Sequence, residues 1–216
     1  MIIFVGTNTK VFFEMKKYLF VFILSLLSLS TFAQQAVGPL TVFPKVGMNL
    51  ATFRGEAEAK VRVGFVGGVE VDYRATELLG VSFEALYSQQ GAKADRVVQG
   101  SLATVIFKFD YINFPILANI YPVPGLALKF GIQPGFNVLA KVDGTYKGVS
   151  VSVNVSEASV NVKSFDLAVP VGLSYQIKNI VLDARYNIGI TRVVDMDGDD
   201  TRNSVFQFTV GYRFGR

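Results

Sequence analysis

From Val42 to the end of the chain, apolar and polar residues alternate with a period of two. That period belongs to strands with two unlike faces, not to helices. In VRVGFVGGVEVDYR, Val61, Val63, Phe65, Val69, Val71 and Tyr73 share one face, while Arg62, Gly64, Gly68, Glu70, Asp72 and Arg74 share the other. The next strand sets Leu79, Val81, Phe83, Ala85 and Tyr87 against Ser82, Glu84, Ser88 and Gln90. LALKFGIQPGFNV, FDLAVPVGLSYQ and IVLDARYNIGIT repeat the arrangement, as does VFQFTVGYRF at Val205 to Phe214. With a first strand over Phe43 to Phe53 and a fourth over Val105 to Tyr121, the pattern predicts eight strands. In the fourth, apolar positions move from odd numbers (Phe107, Phe109) to even ones (Ile112, Phe114, Ile116), which predicts a bulge near Asp110 and Tyr111.

The links between strands alternate in length. Short ones fall at 75–78, 122–125 and 178–179, and long ones at 54–60, 91–103, 140–164 and 192–203. All long loops then emerge at one end and both termini lie at the other. This is the up-and-down topology of an eight-stranded antiparallel transmembrane β-barrel.

Alternation alone does not say which face is outside, and a secreted lipocalin-like barrel with an apolar interior is the competing architecture. Volume decides between them, because an interior ringed by eight strands is only wide enough for side chains to fill it. The bulky apolar parity would overfill that space, whereas the glycines, small polar residues and charges of the other parity fit. The predicted segments also reach the ~9–11 residues a membrane strand needs. Tyr73, Tyr87, Tyr121, Tyr175 and Tyr212, near strand ends, are the expected aromatic girdle.

With that parity inside, the lumen receives Lys45, Arg62, Arg74, Lys129, Arg185 and Arg213, opposed by Glu70, Asp72, Glu84, Asp166 and Asp183. Unpaired charges are costly to desolvate, so near-equality of sign predicts a self-satisfied polar plug and no conducting pore. A binding lumen is the alternative.

The N-terminus changes the picture of location. KKYLFVFILSLLSLSTFAQQ has two lysines, a short apolar run and small residues before Ala33, the layout of a secretory signal cleaved after Ala33. Residues 1–33 are expected to be leader, with 1–14 an upstream extension before a natural start at Met15; 34–41 form a short segment and 42–216 the barrel. Removing Lys10, Lys16, Lys17 and Glu14 leaves 18 basic and 16 acidic residues, or +2 instead of +4. That balance argues against a nucleic-acid partner.

No cysteine and no histidine occur in the chain. Disulfides, thiolate metal sites and histidine-dependent catalysis are thereby excluded, and no catalytic, cofactor or metal residue is assigned. DMDGDD, Asp195 to Asp200, is acidic, but Gly198 comes too early for a calcium loop of the EF type, so a solvated acidic loop is expected. VSVSVNV, Val149 to Val155, continues the alternation past the membrane edge, and Val160 and Val162 answer it as the other arm of an outward hairpin.

KVGMNLATF, YINFPILANIYP, FGIQPGFNV and VGYRF together resemble the PorT-like family of small outer-membrane β-barrel proteins. The resemblance spans Val42 to Phe214, and its most recognisable piece runs from Tyr111 to Pro115. It implies an outer-membrane location with lipid as the surrounding partner, and it carries over no catalytic residue. The family includes a member tied to secretion, which makes an envelope or secretion protein a candidate partner. The aromatic end, Tyr212 and Phe214, resembles the terminal signal read by the barrel-insertion machinery. Two functions follow as expectations: a structural or accessory envelope component, or a surface protein that binds ligand or another cell through its outer loops. Neither is enzymatic.

Overall fold

The computed structural model describes residues 38, 40–55, 59–98, 101–146, 149–154, 162–193 and 201–214. The leader, the cleavage position Ala33 and the acidic run Asp195 to Asp200 lie outside these residues. Ten strands are formed among the described residues: β1 (Leu40–Arg54), β2 (Lys60–Tyr73), β3 (Leu79–Val98), β4 (Ser101–Asn113), β5 (Ile116–Val123), β6 (Leu126–Tyr146), β7 (Val149–Asn154), β8 (Phe165–Ile177), β9 (Ile180–Gly189) and β10 (Arg202–Tyr212).

Ten replaces the expected eight for two reasons. The fourth predicted strand is divided at Phe114–Pro115 into β4 and β5, because Pro115 has no N–H to give to a ladder. Both halves lie between β3 and β6, β4 in the outer part and β5 in the inner. Bonds from Phe114 N–H to the Pro134 carbonyl (2.8 Å) and from Glu84 N–H to the Pro115 carbonyl (2.9 Å) bridge the gap. β7 is the second addition and pairs with the outer end of β6.

The wall itself closes: β1 pairs with β2 on one side and β10 on the other, Leu50 lying opposite Phe206 and Lys45 opposite Gly211. The ring passes through eight positions, one of them shared by β4 and β5. Closure leaves no unpaired strand edge within the ring, which the hydrocarbon of a bilayer requires.

The two faces differ as lipid and lumen demand. Val63, Phe65, Phe83, Phe130, Phe206 and Val210 are each about half exposed outside, while Glu70, Glu84, Asn49 and Gln207 are fully buried inside. A ribbon of rings crosses the outer surface from β3 to β8, with Phe83–Phe114, Phe114–Phe136 and Phe136–Phe165 centroids at 6.3, 6.2 and 5.7 Å. In water such a contiguous apolar surface would far exceed what a monomer tolerates.

The tyrosine girdle is narrower than expected. Tyr73 and Tyr212 are exposed on the lipid face, but Tyr175 is buried and Tyr121 turns its hydroxyl to Asp72. Tyr87 bonds Asp110 at 2.5 Å.

The predicted long loops at 91–103 and 140–164 are largely strand. β3 and β4 pair as far as Val98↔Ser101, and β4 and β6 as far as Ala103↔Tyr146. β7 pairs with β6, with Val142 opposite Val153, so β6 forms one arm of an outward hairpin. Val160 lies outside the described residues, and Val162 packs back against the barrel mouth. The outer ends of β3, β4, β6 and β7 therefore form a four-stranded projection, taller than the rim reached by β1, β2 and β8–β10.

Candidate functional site

All eleven lumen residues named from sequence are buried. Register brings six of them together in the middle of the barrel. Glu70 on β2 sits directly opposite Glu84 on β3, a like-charge pairing that is unfavourable unless cations separate the two. Lys45 Nζ does so, at 2.9 Å from Glu70 and 3.1 Å from Glu84. Lys129 Nζ lies 2.6 Å from Glu70 and 3.2 Å from Asp183. Arg185 closes the set, 2.6 Å from Glu84 and 3.1 Å from Asp183.

Three cations thus balance three carboxylates. Glu70, Glu84 and Asp183 have oxygens within 4.8 Å of one another, the spacing of a metal-binding trio. The ammonium groups of Lys45 and Lys129 already serve as their counter-ions. Gly172 leaves room for the arginine, because a Cβ there would fall 2.4 Å from Arg185 Cβ.

Toward the termini, Asp72 receives Arg213 at 2.6 Å and Asn119 at 3.0 Å. The Arg213 guanidinium lies 4.7 Å from the Phe43 ring centroid, and Arg74 lies 4.3 Å from that of Tyr121. The cavity left between Arg74, Lys129, Arg213 and Tyr121 measures about 10 Å³, room for a single water. Toward the outer end, Asp166 accepts from Thr191 at 2.6 Å and Asn203 at 2.9 Å, and Arg62 donates to the Gln90 carbonyl.

Above this level the lumen becomes apolar, which the alternation does not predict. Phe53, Ala92, Phe109, Tyr111 and Val193 form a buried cluster, with Phe107, Ala140, Val142 and Val162 packed against it. Phe107 and Phe109 were expected on the lipid face after a parity change in β4. β4 in fact keeps one parity, with its odd residues inside throughout. The irregularity at Asp110 and Tyr111 is real, but the extra residue is on β6: Asp110 pairs with Leu139 and Tyr111 with Asn137, leaving Val138 over. Odd residues of β6 point inward below this bulge and even ones above it, so Ala140 and Val142 turn in.

The projection is consequently amphipathic. Its inner face carries Ala92, Ala94, Val105, Phe107, Ala140 and Val142, by register. Its outer face carries Lys93, Asp95, Thr104, Lys108, Lys141 and Asp143, cross-linked by polar contacts. Lys60 and Thr104 reach Asp95 at 2.8 Å each, and Lys108 and Ser152 both contact Asp143. Lys60 and Thr104 hold the Asp95 carboxyl below its ordinary value, as Lys108 and Ser152 do for Asp143.

Comparison with known proteins is consistent with this geometry. The family model described as "Outer membrane protein beta-barrel domain" matches residues 32–195. Among solved structures, the neisserial surface protein A (NspA) is 17% identical with a TM-score of 0.52, covering 80% of this chain and 97% of that one. The attachment invasion locus protein Ail of Yersinia pestis is 18% identical with a TM-score of 0.48, covering 83% of this chain and 100% of that one. At 17% identity the likeness to NspA is one of fold. No curated protein matches the sequence.

Proposed function

The chain belongs to the outer membrane protein beta-barrel domain family and resides in the outer membrane, and from that premise we propose that it is a non-enzymatic surface-recognition protein. The observation that carries this reading is the contrast between a lumen filled by paired charges and a four-stranded sheet that continues past the rim. A plug of this kind leaves no path for solute, so the working surface is the projection and its neighbouring loops. Extended strands give such a surface rigidity that a loop lacks. Lipid surrounds the barrel, and the insertion machinery reads its aromatic end.

A second reading rests on the resemblance of YINFPILANIYP to PorT-like barrels: an accessory role beside an envelope or secretion protein. Deleting the gene separates the two. Surface recognition predicts lost adhesion with normal export; lost export with normal adhesion would replace it by the accessory role. In planar bilayers the purified barrel should show no stable conductance, and a reproducible open pore would refute the plug.

A further inference from the structure

The outer face of the projection repeats one arrangement of charges. Lys93 on β3 lies directly opposite Lys60 on β2, and Lys141 on β6 lies directly opposite Lys108 on β4. Like charges so placed repel each other. Each pair is eased by one carboxylate, two residues further along the strand of one member. Asp95 receives Lys60 at 2.8 Å and also attracts Lys93. Asp143 is paired with Lys108 and attracts Lys141 in the same way. A hydroxyl completes each unit, Thr104 at Asp95 and Ser152 at Asp143.

Two lysines and one aspartate leave each unit with one positive charge. The units are neighbours, because β3 pairs with β4 and Lys93 is opposite Ile106, two residues from Lys108. Diagonal neighbours of this kind are ~7–8 Å apart. Asp110, one row lower, is buried, bonded to the Tyr87 hydroxyl and offset by Arg62. Four lysines and two aspartates therefore give the strip two net positive charges.

The height of the strip says what it meets. On the same strands Phe65, Phe83, Phe136 and Val138 are about half exposed on the lipid face. Lys141 follows Val138 by three residues, ~10 Å along a strand at ~3.3 Å per residue. With strands tilted ~35–45°, that is ~7–8 Å of height. The head-group layer of each leaflet is ~5–7 Å thick. Lys141 and Lys108, which share a row, thus stand at the level of the head groups, above side chains that meet the acyl tails.

We propose that this strip binds the phosphate-bearing head group of an outer-leaflet lipid, whose acyl chains lie against the exposed rings below. Positive charge continuous with an apolar surface suits a lipid better than a soluble phosphate, which would gain from the charges alone. The inference goes beyond the surface-recognition reading and rests on the outer-membrane location.

Native mass spectrometry of the full chain, released from phosphatidylcholine nanodiscs doped with phosphatidic acid, tests it by counting the lipids that stay bound. Relative to their proportions in the disc, phosphatidic acid should be retained roughly tenfold over phosphatidylcholine. The quadruple variant Lys60→Gln, Lys93→Gln, Lys108→Gln and Lys141→Gln should lose that preference with heat-modifiable migration intact. Asp95→Asn with Asp143→Asn, which makes the strip more positive, should increase it. Lys178→Gln, in the β8–β9 turn at the other end of the barrel, should change nothing. Equal retention of the two lipids, a preference that survives the quadruple variant, or an equal loss in Lys178→Gln would overturn the proposal. So would full displacement of the lipid by an equal concentration of inorganic phosphate, which would assign the strip to a soluble anion.

Discussion

The middle of the barrel and the mouth above it share β3 and β6 yet solve opposite problems. In the middle, β2, β3, β6 and β9 turn charges inward, and each charge is held by at least one opposite neighbour within 3.2 Å. At the mouth, β3, β4 and β6 turn Ala92, Phe107, Phe109 and Val142 inward and put their charges outside. Below the bulge the outside is hydrocarbon and the polar groups have only each other; above it the outside is water, and ordinary protein patterning returns. The inversion marks where the solvent changes.

This contrast can be broken from either end, and the largest effect is expected in the middle. Glu84→Ala removes the carboxylate shared by Lys45 and Arg185 and leaves buried cations short of a partner, a loss of about 3–5 kcal/mol. Urea unfolding in vesicles should show it; a loss below about 1 kcal/mol would mean that the plug is better hydrated than its burial implies. Phe53→Ala, which cuts into the apolar cluster, should cost about 3 kcal/mol in the same assay.

Acid should act on the projection first. Asp95 and Asp143 have folded values depressed below the ordinary 3.8, so their pairs contribute fully above that value and are lost as pH falls through the lower, folded one. Hydrogen exchange should therefore quicken in β3, β4, β6 and β7 beyond the rim below about pH 4, with the middle of the barrel unchanged. Simultaneous loosening of both regions would show that they are one cooperative unit. Smallest of all, deletion of Thr145 to Val160 should leave heat-modifiable migration unaltered, because the ring closes without β7.

Much of the wall was legible because β9 and β10 hold one parity from end to end, and β2 and β3 keep theirs below the register shift at Val61–Val66. Residues such as Glu70 and Asp183 could be put on a face by counting, but not matched to partners, since pairing depends on register between strands distant in sequence. Tyr121 and Tyr175 misled for a related reason: a tyrosine at a strand end suits a lipid headgroup and a buried hydrogen bond equally well. The projection was hidden by its own composition. Residues 91–103 and 140–146 are rich in glycine, lysine and aspartate, which suggests loop until one sees that Asp95 and Asp143 are cross-strand partners of Lys60 and Lys108. Phe107 and Phe109 were assigned to the wrong side because the flip belongs to β6, and nothing within β4 records it.

The leftover Val138 also governs how such a protein can change over time. Lengthening β6 and its partners by two residues above that point raises the outer sheet without exchanging its faces, whereas a single insertion or deletion would turn Lys141 and Asp143 toward Phe107. Selection can therefore try taller or shorter outer surfaces in steps of two while the sequence that meets the lipid stays untouched. The bulge acts as a joint in the reading frame of the fold, on either side of which the protein is free to be edited separately.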